Sequence, residues 1–268
     1  MRLVNNPSTL RQCIISQPGY TFVSIDASQI ELRVAAILSQ DPLLLEALKS
    51  SDLHFATAIH VFGFTNNQDT LEWERVKGTL EEADFIKRVR QDSVMEKRRY
   101  DAKQLNFAIL YGADAFKIAE MAGCSLIEAE QLKEAYFAKY VTLKSWIDRT
   151  IDQCRRTGFV ANLFGRIRPI PDINTGSVKM RAKGEREAVN TVIQGTAVDI
   201  VKMMMLYLRR LLPIAVRLVL QVHDEILWEV PDDLSSLVLE QARELKYAFP
   251  DYPVNIKIGK CYGLLKGV

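Results

Sequence analysis

The 268-residue chain lacks closely spaced cysteines and a strong charge of either sign. Its four cysteines, Cys13, Cys124, Cys154 and Cys261, stand far apart with no CxxC pair, which excludes the familiar zinc and disulfide frameworks and fits a reducing, cytoplasmic setting. Lys and Arg number 35 against 33 Asp and Glu, a formal charge of +2, so any basic surface is local rather than general. The opening residues, MRLVNNPSTLRQ, have no apolar leader core, and no run of about 18 apolar residues is read that would imply a membrane span. Thirteen Gly and nine Pro are thinly spread, and without a repeat or low-complexity tract no flexible linker divides the chain. What is present is a 48% hydrophobic content, enough for one large domain or two intimate subdomains.

Residues 20–26, YTFVSID, are β-branched and aromatic; they read as a strand leading into a helix, QIELRVAAILSQ, that stops at Asp41-Pro42. Apolar helical pieces follow over 43–62, whereas 64–97 is polar and mixed in charge and reads as a solvated helical face, with Thr79 and Glu82 at capping-box spacing. Further helical patterns cover 98–112 and about 125–157, and TGFVANLFGRIRPIP reads as a short hairpin turning near Gly165. A long helix is expected over about 179–212. Val216, Leu218, Leu220 and Val222 then alternate, His223-Asp224-Glu225 breaks the pattern, and Ile226, Trp228 and Val230 resume it, which describes a hairpin with two acids at its tip. Residues 234–247 read as helix and VNIKIGKCYG as a last strand. Strands therefore cluster at the two ends of the chain around a mostly helical middle, an α+β pattern.

Asp26 closes an apolar strand, where a carboxylate is costly unless it is paired or holds a cation. If that strand neighbours the 216–230 hairpin in one sheet, Asp26 and Asp224 can share metal ions about 4 Å apart, as two-metal phosphoryl transfer requires. Hard oxygen ligands suit Mg²⁺. Taken alone, each aspartate reads as a turn or cap residue before it reads as a metal ligand. A second constellation is RRYDAKQLNFAILYG, in which Arg99, Lys103, Phe107 and Tyr111 recur at intervals of four along one helix stripe. No acid lies on that stripe, so the cations are read as free for a polyanion such as a triphosphate, with aromatic faces for a base or sugar. An amphipathic helix with aromatics in the core and solvated cations is the alternative. Arg186, Asn190 and Gln194 form a third stripe, suited to groove edges or sugar oxygens of a duplex, with Gly195 expected to break the helix after them. Lys179, Arg181 and Lys183 upstream are candidate phosphate contacts or ordinary surface charge.

With these residues in view, the chain resembles the family A DNA polymerases, the group of bacterial DNA polymerase I and its phage relatives. DASQIELR (26–33) is similar to the family's first carboxylate motif, RRYDAKQLNFAILYG (98–112) to its nucleotide-binding fingers helix, and QVHDE (221–225) to its second carboxylate motif. LFGRIRP and EREAVNTVIQGTAVDI also look like family segments, so the likeness extends from about residue 9 onward. The resemblance implies a palm with an antiparallel sheet and an inserted helical fingers subdomain: palm at 1–62 and 166–268, fingers at 63–165 with an insertion at about 64–97. It implies a template-directed DNA polymerase using two Mg²⁺ ions held by Asp26 and Asp224, with Arg99 and Lys103 on the triphosphate. Gln29, Glu31, His54, Phe107 and Tyr111 would complete the nucleotide site, Glu31 as the residue that blocks a 2′-hydroxyl. Arg186, Asn190, Gln194, Gln221, His223 and Glu225 would meet the primer-template DNA. Ala27 stands where the family usually has Tyr, and Tyr100 where a second Arg is frequent. Only about 25 residues precede Asp26, so neither a thumb nor an exonuclease is expected in this chain, and a separate polypeptide is a candidate thumb. The alternatives are a catalytically weak DNA-binding accessory subunit of a split polymerase and, less well matched to Glu31, a related RNA polymerase.

Overall fold

The computed structural model describes residues 8–268. The first seven residues, which carry part of the MRLVNNPSTLRQ segment and the start of the expected palm, lie outside the described residues. In chain order the first elements are α1 (Ser8–Arg11), β1 (Tyr20–Ala27), α2 (Ile30–Ser39), α3 (Pro42–Ala47), α4 (Leu53–Phe62), α5 (Asn67–Val76), α6 (Glu82–Val89) and α7 (Ser93–Leu110). There follow α8 (Ala115–Ala122), α9 (Leu126–Lys139), α10 (Val141–Thr157), β2 (Phe159–Ala161), β3 (Ile167–Pro169) and α11 (Val178–Leu211). The last are β4 (Arg217–Val222), β5 (Glu225–Pro231), α12 (Ser235–Ala248), β6 (Val254–Gly259) and β7 (Lys266–Gly267). The α+β class is as expected.

The chain forms two compact units, Met1–Ile30 with Thr196–Val268, and Glu31–Gly195. These bounds differ from the expected palm and fingers segments. The helical unit takes in residues 31–62 because α3 packs on α4 and α4 along α7, and it takes in the start of α11 through a core of Cys154, Val160, Ile170, Ile173, Ala188 and Val192.

In the first unit, the sheet runs β4-β5-β1-β6-β7 with every pair antiparallel. β1 is central, which is why its YTFVSI run is apolar almost throughout: a strand covered on both faces has little need of polar alternation. Register puts Phe22, Ser24 and Asp26 on one face with Glu229, Leu227 and Glu225 of β5, while Val23 and Ile25 share the other face with Trp228 and Ile226. α12, with Val238, Ala242 and Leu245 buried, packs on β1, β5 and β6. The hairpin of β4 and β5 forms as expected, but the register slips between Leu218 and Leu220, leaving Leu218 and Val219 exposed. β4 is an edge strand, where a bulge is tolerated and alternation loses its link to burial.

In the second unit, residues 64–97 are more than a solvated face. Trp73 and Phe85 are buried and join Phe64 and Phe55 in an aromatic cluster of edge-on and tilted contacts that fastens α5 and α6 to α4. The capping box expected from Thr79 and Glu82 does not form. Glu82 begins α6 and turns its buried carboxylate to the backbone N–H groups of Gly78 (2.7 Å) and Ser51 (3.0 Å) and to the Ser50 hydroxyl. Asp41 caps two helices at once: Oδ1 accepts from Leu43 and Leu44 at the start of α3, Oδ2 from Thr142 and Leu143 at the start of α10. The β2–β3 hairpin turns at Gly165 as expected, with φ of +81°.

Two expectations about α11 are corrected. Gly195 does not end the helix, which continues to Leu211. An interior glycine costs only about 1 kcal/mol against alanine, and buried Val192, Ile193, Ala197, Ile200 and Val201 outweigh it. α11 is also long and apolar enough to cross a membrane, contrary to the expectation that no such stretch exists. Its buried side chains give it the same composition that a core helix needs.

Candidate functional site

In the first unit, the acids converge. Asp26, the penultimate residue of β1, is the register partner of Glu225 at the start of β5, and the Ala27 N–H donates to the Asp224 carbonyl at 3.0 Å. The end of β1 is thus tied to the turn of a hairpin some 200 residues away in sequence, as the Ser24–Glu225 separation of 201 shows. Val222 pairs with Glu225, so His223 and Asp224 form a two-residue loop, and His223 takes a φ of +54° that such loops usually reserve for Gly or Asn. Gln221 braces the turn through its Nε2 to the His223 carbonyl at 2.6 Å.

Burial pushes the Asp26 carboxyl above its ordinary range; Asp224 and Glu225 add to the effect, while Lys257 and a hydrogen bond with Asn255 oppose it. Asp224 is raised too, first by burial, with a backbone hydrogen bond and His223 opposing and Glu225 adding. Half-buried carboxylates raised by burial and by neighbouring acids suit a cation, which offsets the repulsion. Among the described residues no group of three or more His, Cys, Asp or Glu is poised to hold a metal. Two carboxylates fit Mg²⁺, which keeps several waters and takes one or two protein carboxylates together with substrate phosphates. Glu225 is committed to the scaffold instead: Ser24 Oγ and Tyr262 Oη each donate to it at 2.6 Å, and Arg11 lies 3.9 Å away.

In the second unit, α7 presents the expected stripe. Its opposite side, with Ala102, Leu105, Asn106 and Ile109, is buried. Lys103 and Tyr111 are exposed and Arg99 and Phe107 half-buried, so the stripe aromatics are not core residues. Tyr111 Oη donates to Glu31 Oε2 at 2.9 Å, joining the end of α7 to the first turn of α2. Arg99 is not free, contrary to expectation. Its Nε donates to Asp52 Oδ2 at 2.6 Å, because the acid that pairs with it comes from the N-cap of α4 rather than from its own helix. Lys103 makes no ion pair among the described residues. His54, one residue into α4 from its start, is buried; its Nδ1 meets Asn106 Nδ2 at 3.1 Å and its ring lies 5.7 Å from that of Phe107. Gln29 adopts a φ of +52° just before α2.

Arg186, Asn190 and Gln194 lie half-buried along α11 and make no hydrogen bond or ion pair among the described residues. Arg186 packs over Gly112, where φ is +63° and a Cβ would fall 2.7 Å from the Arg186 Cγ, so only glycine suits that position. The upstream cations are partly spoken for. Lys183 pairs with Asp172 and Glu187, and Arg181 bonds the Thr175 carbonyl, while Lys179 is exposed.

The chain matches the family model for DNA polymerase family A over residues 4–78 and 81–262. It belongs to that family. It is 35% identical over 254 residues to "DNA polymerase I, thermostable" of Thermus filiformis, covering 93% of this chain and 28% of that protein. It is likewise 35% identical over 256 residues to DNA polymerase I of Pseudomonas aeruginosa, covering 93% and 25%. Its fold is similar, with a TM-score of 0.80 and 28% identity, to the POL domain of Pol1 from M. smegmatis in complex with DNA primer-template and dNTP, over 97% of this chain and 44% of that one. The chain therefore spans roughly a quarter of the length of these curated relatives.

Within this family A chain, sequence reasoning missed the residues that hold the site residues in place. Asp52 gives itself away only as a cap before LHFATA, a pattern that names a helix start and not a partner 47 residues on. Asn106 was the more legible, a polar residue amid the apolar side of α7; it bonds His54, Thr57 Oγ1 at 3.0 Å and Tyr136 Oη at 2.9 Å. Asn255 and Tyr262, at the far end of the chain, carry no local signal that ties them to Asp26 or Glu225.

Proposed function

We propose that the chain carries out template-directed addition of deoxynucleotides to a primer 3′ end, as a DNA-directed DNA polymerase. The observation that carries this reading is the convergence of Asp26 and Asp224 from sequence-distant strands, locked by the Ala27–Asp224 backbone bond. Asp26 and Asp224 hold two divalent ions, taken as Mg²⁺, whose chemistry is to stabilise the attacking and leaving oxygens of the transfer. Arg99 and Lys103 neutralise the triphosphate, and Gln29 and the uncharged His54 complete the nucleotide site. Phe107 faces the base and sugar. The Glu31–Tyr111 pair closes the space a 2′-hydroxyl would need, so a deoxyribose is accepted and a ribose excluded. Residues 1–30 and 196–268 serve as palm, and the fingers lie within 31–195.

Primer-template DNA is the partner, met by Arg186, Asn190, Gln194, Gln221 and His223, while Glu225 supports the metal ligands from behind. A complex with primer-template and dNTP, the state in which the M. smegmatis relative was solved, supports this choice of ligands. A thumb, in the same protein or a separate polypeptide, strengthens the hold on DNA, and the site of action is the cytoplasm. Primer extension tests the assignment. Asp26→Ala and Asp224→Ala should each lower the rate by about 10²-fold or more, the scale of losing metal-borne charge stabilisation. Extension at the parental rate by either variant refutes the metal assignment.

A further inference from the structure

We infer that Asp52, backed by Arg90 and Glu96, positions Arg99 for the triphosphate, so that the 64–97 segment tunes nucleotide affinity. The inference rests on the assignment of Arg99 to the incoming nucleotide. Asp52 divides its two oxygens between two tasks. Oδ1 accepts from the Phe55 N–H at 3.0 Å and caps α4, the helix that carries His54; Oδ2 accepts from Arg99 Nε at 2.6 Å. A guanidinium presents its donors as a rigid fork, and holding it by Nε fixes its plane while leaving both Nη groups available. Neither Nη of Arg99 has a partner among the described residues. Asp52 is therefore an orienting group and not a rival for the phosphate.

Behind Asp52 stands a second pair. Arg90, at the end of α6, donates to Glu96 through Nε at 2.6 Å and Nη2 at 3.0 Å, and its Nη1 lies 3.8 Å from Asp52. Glu96 sits three residues before Arg99 on α7, the spacing at which side chains of one helix meet. Left unclamped, Glu96 would compete with Asp52 for Arg99 and draw the fork along its own helix. Arg90 occupies both Glu96 oxygens and prevents this. Two acids and two bases form a neutral quartet, and three of the four, Asp52, Arg90 and Glu96, line an open cavity together with Ser51 and Gln91.

The test is steady-state incorporation of one dNTP on a primer-template with Mg²⁺, using the full chain, with melting temperatures measured in parallel. Asp52→Asn keeps a good cap but loses the charge, and should raise KM for dNTP ~10- to 100-fold, the scale of one charge-assisted hydrogen bond. Its kcat should stay within about threefold of the parent, since the interaction is made in the ground state as well. Arg90→Gln should raise KM roughly 3- to 5-fold, and adding Glu96→Gln should restore it to within about twofold, because the competing acid is then gone. A merely structural role predicts the opposite, the double variant being worse than the single. KM within about twofold of the parent for Asp52→Asn, or no rescue in the double variant, overturns the inference. If the parent extends no primer, the polymerase assignment fails separately; equilibrium binding of Mg·dATP by the full chain then decides, and equal affinity of parent and Asp52→Asn, or no binding by the parent, overturns the positioning role.

Discussion

His54 is a buried imidazole at 4% exposure, within electrostatic reach of Arg99 and Lys103. Burial lowers its pKa to about 4, the two cations add to the fall, and Asp52 opposes it. At neutral pH the ring is uncharged, and the Asn106 amide, which donates to Nδ1, leaves the proton on Nε2. The sign of the pH effect follows. Because the folded-state pKa lies below the unfolded value of 6.5, the unfolded chain binds the extra proton first as pH falls. The stabilisation is complete above about pH 6.5 and is lost on acidification towards pH 4. Urea unfolding between pH 7 and pH 4.5 should show a loss on the order of 2–3 kcal/mol from this group, and His54→Gln should flatten that slope. An unchanged slope in the variant would show that His54 does not titrate in this way. His60, lowered by burial as well, adds in the same direction.

At the scale of elements, α7 and the β4–β5 hairpin were legible because each carries its own period: four-residue recurrence of Arg99, Lys103, Phe107 and Tyr111 in one, alternation broken at His223-Asp224 in the other. The helical segment over 64–97 was legible as helix but not as core, because Trp73 and Phe85 stand among charges and only their meeting with Phe55 and Phe64 buries them. α8 was missed. It is short and has one fully buried side chain, Ile118, too little to set a pattern. The double cap at Asp41 was half legible. Asp41-Pro42 reads in the sequence as the stop of the helix before it, which marks the boundary that α3 follows, while the use of the second oxygen by α10, about 100 residues later, is purely tertiary. Asp41→Ala strips both helices of a cap and leaves buried N–H groups unsatisfied, and should cost ~2–4 kcal/mol in chemical unfolding. Asp41→Asn keeps one acceptor oxygen but turns an NH₂ group towards the other helix start, and should cost about half as much. Equal costs for the two would mean that only one of the caps matters.

At the scale of the whole molecule, one unit is contiguous and the other is not. Residues 31–195 form a run that closes on itself, with the α4–α7 packing, the aromatic cluster and the Asp41 caps all inside it. The sheet unit is assembled from both ends of the chain, and its central strand β1 comes from the N-terminal part while both of its neighbours, β5 and β6, come from the C-terminal part. Without β1, two strands would present unpaired edges across the middle of a sheet, together with the apolar residues that Val23 and Ile25 cover. Pairing across 201 residues also carries a loop-closure cost that local helices avoid, which places the sheet late in folding. A polypeptide of residues 31–195 should accordingly melt cooperatively with a helical far-UV spectrum, whereas residues 196–268 alone should not. Co-expression of 196–268 with residues 1–30 should recover strand signal and a melting transition. A cooperative transition for 196–268 by itself would show that β5 and β6 find a stable arrangement without β1, and that β1 is not required for the sheet unit to fold.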